Sequence, residues 1–167
     1  MLSDGEAPAG PVVIGWKEFV DLPDLGIRRL KVKVDTGART SSLHVRDLTV
    51  VGRHDDGTAD VEFGVPLSHR HPDRSLRARA RMLRQVRVVD SGGNAEVRPV
   101  IETLLVLGPV RKRVLLTLTD RTGMLFRMLI GRKALEGDFL VDVAGKYLQR
   151  EWHPLPPRPR RGVETAP

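Results

Sequence analysis

Leu30, Val32 and Val34 alternate with Lys31 and Lys33, the period-two pattern of a strand with one buried face, so a strand is expected over Arg28–Val34. The same reading along the chain predicts strands at Val12–Trp16, Leu43–Gly52, Ala59–Val65, Leu76–Val89, Val97–Leu107, Val114–Thr119 and Arg127–Ile130. Turn residues separate them: Leu22–Gly26 around Pro23, His54–Thr58 (H-D-D-G-T), the polar loop Pro66–Arg74, and Ser91-Gly92-Gly93-Asn94. Only Lys133–Glu136, just after Gly131-Arg132, suggests a helix, and it is short. Many short strands with turns between them predict a mostly β protein built as a small closed barrel with one short C-terminal helix. Residues 1–10 read as a flexible leader, 11–152 as one domain, and 153–167 as a Pro- and Arg-rich disordered tail.

The quoted strand ends on an acid, Asp35, followed by Thr36, Gly37 and Ala38, with further hydroxyls at Thr40, Ser41 and Ser42. An acid delivered by a strand into small residues suits a carboxylate that must approach a second one. Two such groups share one proton, so that one serves as base towards a water and the other as acid. Gly37 permits a close backbone approach, and the Thr36 hydroxyl can brace one loop against another. D-T-G alone is also a plausible β-turn. A second segment strengthens the reading: Met128, Leu129 and Ile130 lead as an apolar strand into Gly131-Arg132.

Taken together, D-T-G-A at 35–38, the glycine-tipped hairpin and the late apolar-Gly-Arg segment resemble the retropepsin-like aspartic peptidases. V-I-G-W at 13–16, K-V-D-T-G-A-R-T-S-S-L-H at 33–44, D-S-G-G at 90–93, R-P-V-I at 98–101 and F-R-M-L-I-G-R at 126–132 are similar to one bacterial branch of them. That branch is often labelled an ATP-dependent zinc protease and is associated with RimK-type ATP-grasp ligases, which add glutamates to protein tails. The resemblance covers about residues 12–152. It implies a retropepsin-like barrel, an aspartic endopeptidase acting on a peptide or protein, and a glutamate-rich tail as the associated substrate. It implies Asp35 as the catalytic carboxylate, with Thr36, Gly37, Ala38, Gly131 and Arg132 supporting the loop. Ser91, Gly92, Gly93 and Asn94 fall where a flap would cover bound peptide. One D-T-G per chain implies a homodimer, and no cofactor is needed. Viral retropepsins usually carry an acid soon after D-T-G-A to pair with the arginine. Arg39 and Thr40 stand there instead, which leaves the partner of Arg132 open.

Charge adds a further expectation. The 167 residues carry a formal charge of +7, mostly from arginine, which favours acidic partners. Arg77, Arg79 and Arg81 alternate with Ala78 and Ala80, so a strand places all three on one face. That face is either a solvated surface or a track for an acidic peptide, because arginine grips carboxylates in bidentate fashion. Arg98 joins these three as a candidate substrate-binding residue. A nucleic-acid backbone would match the charge, but two Trp, one Tyr and four Phe are too few to supply stacking platforms, so nucleic acid is not expected. The absence of cysteine excludes disulfides and thiolate metal sites and fits a cytoplasmic setting, and no apolar run suggests a membrane span.

No metal site is expected either. There is no H-E-x-x-H. The nearest candidate, His69, His71 and Asp73 in S-H-R-H-P-D, is interrupted by Pro72 and flanked by Arg70 and Arg74. Two competing readings stay open: a barrel that binds an acidic protein or nucleic acid without cleaving it, and a zinc metallopeptidase.

Overall fold

The computed structural model describes residues 7–68, 70–71, 73–89, 92–120, 123 and 125–155. Eleven strands and one short helix follow one another along these residues. They are β1 (Val12–Gly15), β2 (Lys17–Leu22), β3 (Ile27–Val34), β4 (Ser41–His44), β5 (Arg46–Arg53), β6 (Ala59–Pro66), β7 (Ser75–Val89), β8 (Ala95–Leu107), β9 (Val110–Thr119), β10 (Met128–Ile130), α1 (Arg132–Leu135) and β11 (Phe139–Asp142). Six strands close into a barrel in the order β2-β3-β10-β4-β9-β8, and β8 returns to β2 through Asp21 opposite Val106. From β8 the sheet continues outward through β7, β6 and β5, while β1 and β11 form a separate parallel pair. The mostly β barrel with one short helix agrees with the pattern of the sequence.

The alternation in β3 explains much of the core. Ile27, Leu30, Val32 and Val34 are buried, and Lys31 and Lys33 are exposed. Two residues separate Ile27 from Leu30 because the pairing with β2 slips between Val20 and Leu22. Opposite that bulge, Arg29 has φ 52 and its N–H donates to Asp21 Oδ1 at 2.7 Å. The inward residues of β3 meet Leu43, Phe63, Ile101, Leu105, Leu116, Met128 and Ile130 in one apolar cluster.

Some boundaries differ from the pattern for physical reasons. The apolar run Leu43–Gly52 is two strands rather than one. The chain leaves the barrel at buried Val45, whose N–H bonds to Thr119 C=O, and β5 then pairs with β6. No glycine or proline marks this break. β2 went unrecognised because Glu18 interrupts its apolar face. The Glu18 side chain is nevertheless fully buried, accepting N–H bonds from Gly15 (2.8 Å), Leu148 (2.8 Å) and Gln149 (3.3 Å). β11 is short and half exposed, and β9 begins four residues earlier than its apolar run, in the basic stretch Val110–Arg113.

His153, read as the start of a disordered tail, belongs to the folded body. Its ring is buried, Nε2 accepts the Gly108 N–H at 3.1 Å, Nδ1 faces Asp21 at 3.3 Å, and its carbonyl accepts from Arg29 at 2.6 Å. Among the described residues, no helix is long and apolar enough to cross a membrane.

Candidate active site

Asp35 leaves the end of β3 where that strand runs parallel to β10, Val34 beside Ile130. Its N–H donates to Ile130 C=O at 2.9 Å, and the loop closes on itself when Ala38 N–H reaches Asp35 C=O at 3.2 Å. The carboxylate is half-buried, and its Oδ1 accepts the Gly37 N–H at 3.0 Å. A Cβ at Gly37 would stand only 3.2 Å from that oxygen, so glycine keeps the space beside the carboxylate open. Thr36 is exposed.

Gly131 and Arg132 hold this loop from below. Gly131 N–H donates to the buried Ser41 Oγ at 3.0 Å, and a Cβ there would lie 2.6 Å from the Thr40 carbonyl. Arg132 N–H bonds to Ala38 C=O at 2.8 Å and Lys133 N–H to Arg39 C=O at 3.1 Å, which laces α1 to residues 38–39. The Arg132 guanidinium then donates through Nη1 to the carbonyls of Thr36 (2.9 Å) and Gly37 (3.1 Å). The open question of its partner is thereby answered: two loop carbonyls take the place of a carboxylate. Ser41, noted only as a nearby hydroxyl, is a structural acceptor that the sequence pattern did not single out.

The other predicted residues fall further along the fold. Gly92, Gly93 and Asn94 are exposed in the connection between β7 and β8, where Gly93 has φ 84; Ser91 lies outside the described residues. Arg77, Arg79 and Arg81 share one exposed face of β7, in the half that pairs with β6. Each meets an acid of β6: Arg77 lies 3.9 Å from Glu62, while Arg79 and Arg81 lie 3.1 and 3.8 Å from Asp60. The His54 ring beside Asp60, with Arg79 second, holds that carboxyl below its ordinary range. Arg98 donates to Glu96 at 3.0 Å.

A different basic recess, of about 580 Å³, adjoins the Asp35 loop and α1. Arg39, Thr40, Ser41, Arg84, Arg113 and Lys133 line it. Arg113 is tied to Asp24 at 2.6 Å and Lys133 to Glu136 at 3.3 Å, whereas Arg39 and Arg84 form no ion pair among the described residues. Neither is among the candidate substrate-binding residues that the sequence singles out. Arg39 was visible as the residue that replaces the usual acid after Ala38, but Arg84 reaches the recess only through the fold.

Of the S-H-R-H-P-D segment, His71 and Asp73 are exposed, and His69 and Pro72 lie outside the described residues. Among the described residues no group of three or more His, Asp or Glu is placed to hold a metal ion.

Comparison with known proteins joins these features. A family model described as "Retropepsin-like aspartic endopeptidase RimB" matches residues 13–152. The chain is 40% identical over 139 residues to a probable alpha-L-glutamate ligase of Parasynechococcus marenigrum (strain WH8102), covering 81% of this chain and 29% of that one. It is 34% identical over 154 residues to a protein of the same description from Shewanella pealeana (strain ATCC 700345 / ANG-SQ1), covering 92% and 33%. The chain thus spans a third or less of the length of these relatives. A crystal structure of Lpg0085 from Legionella pneumophila, a protein described as of unknown function, superimposes with a TM-score of 0.67 at 25% identity, over 83% of this chain and 98% of that one.

Proposed function

The chain belongs to the RimB-like family of retropepsin-like aspartic endopeptidases, and from that premise we propose that it is an aspartic peptidase whose site is shared between two copies. The observation that carries this reading is the Asp35 loop itself, a half-exposed carboxylate on a backbone pinned by Arg132 and cleared of side chains at Gly37 and Gly131. In the proposed dimer, one Asp35 carboxylate takes a proton from a water whose oxygen attacks the scissile carbonyl. The other, protonated, Asp35 delivers its proton to the carbonyl oxygen. Collapse of the tetrahedral adduct breaks the C–N bond, and the amine leaves with a proton returned from the dyad. Thr36 braces the two loops, and Gly92, Gly93 and Asn94 cover the peptide. Exposed Val13 and Leu140, on the β1–β11 pair, supply apolar surface that a second copy could cover.

For the substrate, we propose a cytoplasmic protein or peptide with an acidic, glutamate-rich tail. The recess holding Arg39 and Arg84 beside the loop supports it, as does the description of relatives containing a matching segment as glutamate ligases. Cleavage of a glutamate-rich peptide by the wild type, abolished in a folded Asp35→Asn variant that still binds the peptide, is the expected result. Wild-type cleavage by that variant would sink the mechanism. The ligase descriptions favour one second reading, a domain that only binds acidic tails; it would show binding without cleavage in both proteins.

A further inference from the structure

A second cleft, of about 710 Å³, opens beside β2 and β3, and none of its lining residues belongs to the Asp35 loop or to α1. Its volume is that of a small-molecule site. Lys17, Arg29, Lys31, Arg70 and Arg127 line it, and among the described residues no Asp or Glu does. Two of these cations are already positioned by neutral groups. Arg29 donates to the His153 carbonyl and lies 4.1 Å from the centre of the Phe19 ring; the Lys17 ammonium lies 4.7 Å from that of Trp16.

Arg127 is the unusual member. It is only 7% exposed, yet among the described residues its charge meets no carboxylate: one Nη donates to the Ser68 carbonyl at 3.3 Å, and Nε has no hydrogen-bond partner there. Burial, reinforced by the neighbouring Arg46, pulls its pKa below the ordinary arginine value, so the folded site disfavours the cation it contains. A buried guanidinium is costly unless an anion accompanies it. Phe126, packed edge-on against Trp16, and exposed Leu67 and Leu125 add apolar wall to the same cleft.

We propose that this cleft binds a small molecule carrying an oxyanion, carboxylate or phosphate, on an apolar or aromatic body. The oxyanion faces Arg127, Arg70 and Lys31, and the body lies against Phe126 and the leucines. This site is separate from the peptidase reading and stands without it. Calorimetric titration of the full chain with phenyl phosphate, benzoate, inorganic phosphate and phenol tests it. Phenyl phosphate or benzoate should bind saturably at one per chain, at least tenfold tighter than phosphate or phenol; the better of the two identifies the anion. The Asp35→Asn variant should bind equally well. Arg127→Gln should weaken binding at least tenfold. Because that buried change can also impair folding, the exposed pair Lys31→Gln with Arg70→Gln is the second variant, expected to weaken binding several-fold at an unchanged melting temperature. Lack of saturable binding by both aromatic anions, or wild-type affinity in the folded Lys31/Arg70 variant, would overturn the proposal.

Discussion

Replacing Gly131 with alanine is a one-carbon change whose cost can be worked from the structure. The backbone there has φ −90 and ψ 174, which any residue adopts, so the substitution carries no conformational penalty of its own. The difficulty is steric. The new Cβ would lie 2.6 Å from the Thr40 carbonyl carbon and oxygen and 2.9 Å from the Ala38 oxygen. All three are backbone atoms that cannot rotate aside, so the loop must retreat by roughly half an ångström, at the 1–3 kcal/mol typical of overpacking. The retreat works against the bonds from Gly131 N–H to Ser41 Oγ and from Arg132 N–H to Ala38 C=O. With a urea slope of about 2 kcal/mol per molar, the midpoint should fall by about 0.5–1.5 M. Peptidase kcat/KM should fall more steeply, on the order of tenfold to a hundredfold, because the same loop carries Asp35. A Gly131→Ala protein with the wild-type midpoint and wild-type kcat/KM would refute the claim that this contact positions the site.

Three further outcomes are expected. Glu18→Gln keeps one acceptor oxygen but replaces the other by a donor that opposes an N–H group, and it removes the charge that strengthens the remaining bonds; it should lower stability by about 1–3 kcal/mol in a denaturant titration, and an unchanged midpoint would contradict the bonding described. His44 is buried, and burial, then Arg127, lowers its pKa, so below about pH 6.5 the unfolded chain takes up the proton more readily. Stability from this residue is therefore complete above that pH and lost as pH falls through the lowered value, and a folded His44→Gln protein should show a shallower decline between pH 7 and 5; identical slopes would refute it. Arg39→Gln with Arg84→Gln should raise KM for a glutamate-rich peptide more than the triple Gln change at Arg77, Arg79 and Arg81, whose charges are already partly offset by Asp60 and Glu62. At about 0.2–1 kcal/mol per exposed contact the double change amounts to roughly a two- to thirtyfold effect, and a larger effect from the triple change would reverse the assignment.

The legible parts of this molecule were those where local pattern and tertiary role coincide. β3 alternates cleanly because one face meets the core and the other meets solvent, and Asp35 stands where that alternation stops. Gly131-Arg132 was legible as a pair, but not what the arginine binds, since a backbone carbonyl leaves no mark in sequence. β2 was hidden by Glu18, a carboxylate buried because distant N–H groups at 148 and 149 reach it. The break at Val45 was hidden for the opposite reason: it is as apolar as the strands it separates. The arginines on β7 were correctly placed on one face, yet their acids come from β6, so their pairing required the register between the two strands.

The central claim, one Asp35 from each of two chains in a single site, is tested most directly by mixed dimers. Wild type is unfolded and refolded with a ninefold excess of Asp35→Asn so that chains pair at random, and cleavage of a glutamate-rich peptide is measured per wild-type chain. If both carboxylates are required, only wild-type pairs act, and activity per wild-type chain should fall to about one tenth of that of wild type refolded alone. Full activity per wild-type chain, in a mixture shown to contain mixed dimers, would contradict the shared site.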